Sequence, residues 1–173
     1  MKLMKVDFFD NQKQTEPLRS DVLFGINDGV QERGETTVAY TTTEGDQNQW
    51  HAIVYNKNSH PVLFVPLDHN FIIHPTEGTT YSLCDGMLYH KPWLAFVELK
   101  VKKENWIQKD IQQLRFTINL FQKNHDVSAF PKRFAYAVNR KHPYFPTSKK
   151  AEMQKFRNET GFRLLIQREI KVL

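Results

Sequence analysis

The sequence of 173 residues contains one cysteine and no long apolar run. Because Cys84 has no second cysteine to pair with, it cannot form an internal disulfide or supply a zinc cluster, and any metal would need oxygen ligands. No stretch approaches the roughly 20 apolar residues of a membrane span. The start MKLMKVDFFD has charged residues where a signal peptide needs an apolar stretch. These absences predict a cytoplasmic protein with no membrane partner.

Repeats, low-complexity segments and linkers are also absent. The turn-forming residues Gly, Asn and Asp are spaced as in turns between strands and not as in a linker between domains. This spacing predicts a single domain over residues 1–173. Such a chain is long enough to bury a core of its own. The seven histidines show no ligand spacing such as H-x-x-x-H, so turn and surface roles are favoured for them.

Charge is distributed unevenly along the chain. Residues 1–99 carry 7 Lys/Arg against 13 Asp/Glu, a net of −6, whereas residues 100–173 carry 17 against 6, a net of +11. The strongly basic second half favours a polyanion as partner, although solvated lysines alone would give the same count.

The first 75 residues are predicted to be rich in β-structure. Short runs of β-branched and aromatic residues separated by turn residues predict strands at 22–26, 36–43, 50–56 and 61–67.

The second half predicts a hairpin followed by a crossover. Two strands, 79–89 and 93–101, flank the short connection HKP. Residues 106–122 then change to a helical period, with Asn105 and Gln108 resembling a capping box and with one apolar stripe formed by Ile107, Ile111, Leu114, Ile118 and Phe121. A strand at 133–139 would complete a βαβ unit.

Two more elements follow the turn-rich segment HPYFPTS. Residues 148–159 are predicted to be helical, with Ser148 as N-cap, and residues 162–172 alternate as one final strand, at a sheet edge or as the outer partner of a hairpin. The order of elements predicts an α/β or α+β fold with a mixed sheet.

Two acidic side chains are expected to meet across the predicted hairpin. Alternation places Glu98 and Lys100 on one face of their strand, opposite an apolar face that begins with Trp93. If Tyr89 pairs with Leu94, Asp85 lies directly opposite Glu98, with the Cβ atoms about 5 Å apart. Both carboxylates could then reach one ion.

A divalent cation would explain this pairing of acids. Two carboxylates about 5 Å apart repel each other by roughly 3 kcal/mol at an effective dielectric constant of 20. Mg²⁺ or Mn²⁺ would reverse the sign, with Asp85, Glu98 and the main-chain oxygen of Leu99 as available ligands. The alternative is a solvated hairpin face on which Lys100 neutralises Glu98. A second E-x-K triplet, Glu169-Ile170-Lys171, follows no such hairpin, and about one such triplet is expected by chance.

The pattern D-x(12)-E-x-K at the end of a hairpin, followed by a helix containing QQLRFT, resembles the core of the PD-(D/E)XK nuclease superfamily over about residues 79–140. The resemblance implies a restriction-endonuclease-like mixed β-sheet flanked by helices. It also implies a nuclease that depends on Mg²⁺, with Mn²⁺ able to substitute, and that hydrolyses phosphodiester bonds, in DNA more than in RNA.

The same resemblance assigns roles to individual residues. Asp85 and Glu98 correspond to the metal ligands, and Lys100 to the lysine that orients and deprotonates the attacking water and balances charge on the phosphate. Gln113 matches a helix glutamine that some branches place near the active site. Many members carry a further acid N-terminal to this core, for which the candidates are Glu16, Glu32 and Glu35. Asp68 is a turn residue or an acid for a second metal.

Basic residues after the hairpin are candidates for binding the phosphate backbone of nucleic acid. These are Lys102, Lys103, Lys109, Arg115, Arg140 and Lys141. Two other functions remain open: a nucleic-acid-binding protein that keeps a nuclease fold without turnover, and a protein-interaction module whose basic half binds an acidic partner. The sequence also leaves open assembly as a homodimer.

Overall fold

The computed structural model describes residues 5–30, 36–73, 82–101, 106–141 and 149–173. Within these ranges the chain forms nine strands and two α-helices. They are, in chain order, β1 (Leu23–Val30), β2 (Thr36–Thr42), β3 (Ala52–Tyr55), β4 (Leu63–Pro66), β5 (Gly86–His90), β6 (Trp93–Lys100), α1 (Ile107–Asn124), β7 (Lys132–Asn139), α2 (Lys150–Thr160), β8 (Arg163–Ile166) and β9 (Glu169–Lys171). The expected boundary near residue 75 lies outside the described ranges.

A five-stranded mixed sheet contains the predicted hairpin and crossover. Its strand order is β4-β5-β6-β7-β8, with β4, β5 and β6 antiparallel and with β6, β7 and β8 parallel. Tyr89 pairs with Leu94, as predicted. Since α1 connects the parallel strands β6 and β7, the βαβ prediction is confirmed as well.

A second, four-stranded sheet is built mainly from the N-terminal part of the chain. Its order is β2-β1-β3-β9, in which β1 is antiparallel to both neighbours and β9 runs parallel to β3. Both sheets are therefore mixed, and the fold is of the α+β class with two sheets and two described α-helices. Strands β1 to β4 confirm that the N-terminal part is rich in β-structure.

The five-stranded sheet is covered on both faces. One face packs against apolar side chains of α1 and α2, among them Leu114, Phe121 and Phe156. The other face packs against the four-stranded sheet, through residues such as Phe24 and Val54. Strand β6 lies in the middle of the five-stranded sheet, so its side chains are buried in both directions.

The apolar stripe predicted for α1 is confirmed. Ile111, Leu114, Ile118 and Phe121 are fully buried, and Ile107 is partly buried against the same core. Helix α1 begins after Trp106, which makes no side-chain capping hydrogen bond, and Asn105 lies outside the described residues. Helix α2 begins after Lys149, and Ser148 is likewise undescribed. Neither α-helix in the described ranges is long and apolar enough to cross a membrane.

The single final strand predicted for residues 162–172 is wrong in its extent. The segment forms two short strands, β8 at the end of the five-stranded sheet and β9 at the end of the four-stranded sheet. The chain changes sheets at Gln167 and Arg168. The Arg168 guanidinium stabilises this change by donating to the main-chain oxygens of Gln47, Asn48 and Trp50 at 2.6 to 2.9 Å.

Candidate active site at the β5–β6 hairpin

Asp85 lies immediately before β5 and is fixed by its main chain. Gly86 pairs with Val97, so the register continues with Asp85 opposite Glu98. On its other side the Asp85 carbonyl accepts the N–H of Leu67 at 2.9 Å, which extends the pairing with β4. The Asp85 carboxylate turns back to β6, where its Oδ2 accepts the N–H of Leu99 at 2.6 Å. Contacts next to β4 on one side and with β6 on the other thus determine the position of this acid.

Glu98 is almost fully buried, with 1% of its side chain exposed. Its Oε1 accepts a hydrogen bond from the Lys100 ammonium at 2.6 Å. Its Oε2 is buried and has no hydrogen-bond partner in the described part of the chain. The alternative of a solvated hairpin face is wrong about solvent, because Leu94 and Phe96 share this face of β6 and pack under α1, but right that Lys100 pairs with Glu98.

Burial raises the pKa values of both acids, and repulsion by Glu98 raises that of Asp85 further. The pKa of Asp85 lies well above its usual value because of burial and the nearby Glu98 carboxylate. Burial raises the pKa of Glu98 to about 8, against the attraction of Lys100. Burial alone would lower the pKa of Lys100, but the Glu98 carboxylate outweighs burial and raises it. Lys100 is therefore an ammonium at neutral pH.

Three further acids add negative charge at this site, and the sequence suggested only one of them. Asp28, in the bulged part of β1, raises the pKa of Asp85, and Asp110 on α1 raises that of Glu98. Asp68 also raises the pKa of Glu98. It lies in a turn after β4, as expected, with its Oδ2 3.1 Å from Nε2 of His69.

Of the three N-terminal acids weighed from the sequence, Glu16 is described, and it does not join this group. The Glu16 carboxylate accepts hydrogen bonds from the main-chain N–H and the hydroxyl of Thr41 on β2. Glu32 and Glu35 lie outside the described residues. Asp28 was missed because its approach depends on how the four-stranded sheet packs against the five-stranded sheet, which alternation within a strand does not reveal.

Gln113 lies on the buried side of α1 and takes part in a hydrogen-bond network leading to Asp85. Its Nε2 donates to the Ser82 hydroxyl at 2.8 Å. Its main-chain oxygen accepts the Thr117 hydroxyl, and the oxygen of that hydroxyl accepts the N–H of Cys84, both at 2.8 Å. Helix α1 thereby holds the residue preceding Asp85. Thr117 was missed, although Asp110, Gln113 and Thr117 form a polar line beside the apolar stripe of α1.

The six basic candidates do not form one cluster in the described structure. Lys109 and Lys141 are exposed, and Lys102 and Lys103 lie outside the described residues. Arg115 binds Glu159 of α2, with 2.8 Å between Nε and Oε2. Arg140 donates to the main-chain oxygen of Gln49 at 2.7 Å. The two arginines thus contribute to packing between elements.

The described residues provide only part of the ligand set that a metal ion needs at this site. No group of three or more His, Cys, Asp or Glu side chains among the described residues is arranged to hold a metal ion. What the hairpin does provide is two opposed carboxylates, one of them with a buried oxygen lacking a described partner, and an ammonium beside them. Such a set can bind a hard cation only if water or ligand oxygens complete its coordination.

Comparison with known proteins gave no relative for this chain. No protein-family model, curated protein or solved structure matches it.

Proposed function

We propose that the protein is a metal-dependent nuclease that hydrolyses phosphodiester bonds in DNA, with a site of the PD-(D/E)XK type. The observation that supports this most is the pairing of Asp85 with Glu98 across the β5–β6 hairpin, next to Lys100. The mixed five-stranded sheet, with α1 directly after the hairpin, agrees with a restriction-endonuclease-like arrangement.

The donor set fits a hard divalent cation such as Mg²⁺. Glu98 Oε2 is buried without a described hydrogen-bond partner, and the two acids raise each other's energy when ionised. Mg²⁺ commonly binds through one or two carboxylates and completes its coordination with water and substrate phosphates. Asp85, Glu98 and the main-chain oxygen of Leu99 would hold it. A bound Mg²⁺ would supply a Lewis acid for the phosphate and lower the pKa of a coordinated water.

Lys100 would act as a fixed cation in this reaction. Its raised pKa keeps it protonated, so the roles open to it are to orient water and to balance charge on the phosphate as the transition state forms. The Glu98 hydrogen bond keeps its ammonium at the site. Accepting a proton from water, the other role implied by the resemblance, would require that raised pKa to fall.

Gln113 would act as a positioning residue. Its contacts with Ser82 and, through Thr117, with Cys84 hold the segment that leads into Asp85. A shift of about 1 Å in a catalytic group can cost roughly 100-fold in rate, so a loss of these contacts should lower turnover without removing the acid itself.

The test compares cleavage of linear DNA in Mg²⁺, in Mn²⁺ and in EDTA. We expect cleavage in both metals and none in EDTA. Lys100→Ala should lower single-turnover cleavage by roughly 100-fold while DNA binding in Ca²⁺ stays within a few-fold, since the wider basic surface supplies most of the attraction. Glu98→Gln should abolish cleavage.

The second E-x-K triplet on β9 supplies matched controls. Glu169→Gln and Lys171→Ala remove the same kinds of group from a strand of the other sheet. Both variants should cleave like the wild type. Equal loss in the β9 variants would refute the proposed site. Cleavage that persists in EDTA would indicate a contaminating nuclease and favour the alternative of binding without turnover.

A further inference from the structure

A groove between α2 and β8 lies apart from the residues of the candidate site. It has a volume of about 440 Å³ and is lined by Lys150, Met153, Gln154, Arg157, Arg163 and Leu164. Three of its six lining residues are cations and none is an acid. Its charge therefore complements a polyanion.

The three cations of this groove form no ion pairs with acids in the described ranges. Lys150, Arg157 and Arg163 are all exposed. The acids of α2 instead bind other cations: Glu152 lies 3.5 Å from Lys149. Glu159 binds Arg115.

The spacing of the groove residues suits a row of phosphates. Lys150, Gln154 and Arg157 occupy one face of α2 over two turns, a length of about 10 Å. One strand of duplex DNA rises about 3.4 Å per phosphate, so this length corresponds to roughly three phosphates. Exposed guanidinium and ammonium groups along such a row can each contact a phosphate.

The groove lies within reach of a DNA molecule bound at Asp85 and Glu98. Arg163 pairs with Phe134, and Phe134 pairs with Ala95, three residues before Glu98 on β6. Two strand spacings and three residues of rise place the main chains of Arg163 and Glu98 roughly 14 Å apart. That separation corresponds to about four base-pair steps along a duplex.

We propose that the groove between α2 and β8 is a second binding site for the phosphate backbone of DNA, which holds the substrate about four base pairs from the point of cleavage. This assignment of the ligand rests on the proposed nuclease function, whereas the groove itself does not. It adds Lys150, Arg157 and Arg163 to the DNA-binding surface, none of which the strand and helix patterns singled out.

The test is a triple variant, Lys150→Gln/Arg157→Gln/Arg163→Gln, with a control of equal charge change, Lys57→Gln/Lys91→Gln/Lys171→Gln. All six positions are exposed. DNA binding is measured in Ca²⁺ by fluorescence anisotropy over a range of salt concentrations. The slope of log K against log salt is negative, and losing three phosphate contacts should reduce its magnitude by roughly 2.7 in the groove variant only. Raising salt from ~50 to ~200 mM should then cost the wild type roughly 40-fold more affinity than the variant.

Hydrolysis of bis(p-nitrophenyl) phosphate, a diester too small to reach the groove, separates this proposal from the nuclease proposal. The groove variant should hydrolyse it like the wild type while needing more DNA for half-maximal cleavage. Another outcome is that the wild type hydrolyses neither substrate while the DNA affinity of the groove variant still depends less steeply on salt than that of the wild type. In that case the nuclease proposal fails and the groove proposal stands. An unchanged slope, or an equal loss in the control variant, would overturn the groove. So would polyglutamate competing as well as DNA, which would indicate an acidic protein partner.

Discussion

Replacing Lys100 by methionine should destabilise the protein by an amount that grows with pH. Lys100 Nζ lies 2.6 Å from Glu98 Oε1, and Glu98 has only 1% of its side chain exposed. Two unit charges at this distance attract by about 6 kcal/mol at an effective dielectric constant of 20. Burial of the charges offsets most of that attraction, so the intact pair contributes little, whereas removing one partner leaves the other charge buried.

The pH dependence follows from the pKa of Glu98, which is about 8 in the folded wild type. Unfolded glutamate titrates near 4.3, so between these values the folded wild type holds a proton that the unfolded chain has released, and its stability falls as pH rises. Above pH 8 the wild type is ionised in both states and the fall stops. In Lys100→Met the folded pKa rises further, so the fall continues at about 1.4 kcal/mol per pH unit.

The lost hydrogen bond and the shifted pKa together give the expected loss in free energy of unfolding for Lys100→Met at two pH values. Near pH 6.5 Glu98 is mostly protonated in both proteins, and losing the Lys100 hydrogen bond should cost about 1.5 kcal/mol. At pH 9.5 the continued fall adds about 2 kcal/mol, which brings the cost to roughly 3 to 4 kcal/mol. In Glu98→Gln/Lys100→Met the Glu98 carboxyl is absent, so its contribution to the pH dependence should be lost and the cost should vary less with pH than in Lys100→Met.

Urea unfolding followed by tryptophan fluorescence measures these differences. The three tryptophans, Trp50, Trp93 and Trp106, are all buried, so their emission should change on unfolding. Lys171→Met, an exposed lysine of the β9 triplet, is the matched control and should stay within ~0.5 kcal/mol of wild type at both pH values. A Lys100→Met cost that is equal at pH 6.5 and 9.5 would refute the reasoning about the buried pair.

Three further predictions follow from the fold and the site. Gly86→Ala should cost at least ~2 kcal/mol, because a Cβ there would overlap the ring of a buried β4 phenylalanine, and Gly45→Ala, with open space but a φ of 81°, should cost about 1 kcal/mol in the same urea assay. Leu114→Ala should cost ~2 to 5 kcal/mol and exposed Asn119→Ala nearly nothing; similar values would contradict the packing of α1. Mg²⁺ should raise the melting temperature more at pH 8.5 than at pH 6, because the ion must displace protons at the lower pH, and Glu98→Gln should remove that difference.

Local patterns predicted the elements around the site well. The stripe of α1 and the pairing of Tyr89 with Leu94 depend on residues near one another in sequence, and both are confirmed. The burial of Glu98 was also encoded locally, since Leu94 and Phe96 share its face of β6 and an apolar pair on a supposedly wet face indicates a covering layer. The alternative of a solvated face gave more weight to the charged residues of that face than to the apolar ones.

Contacts between distant segments were not predictable in this way. In the segment 162–172, the apolar residues keep the same alternation across the change of sheet, and no Gly or Pro marks it. The change is stabilised by Arg168 binding main-chain oxygens about 120 residues earlier. Asp28 reaches the site by the same kind of long-range packing, because β1 belongs to the second sheet. Alternation within one strand carries no information about either partner.

Helix α1 and the second sheet together give the site its electrostatic character. Helix α1 covers the face of β6 that carries Glu98, and the second sheet covers the opposite face, so Glu98 is buried where an ionised carboxylate must be compensated by a proton or a cation. Lys100 supplies one positive charge against Asp85, Glu98 and Asp110 of α1. One ammonium cannot balance these carboxylates when all are ionised, so the raised pKa values of Asp85 and Glu98 keep protons on them, and the divalent cation that we propose would have to displace those protons.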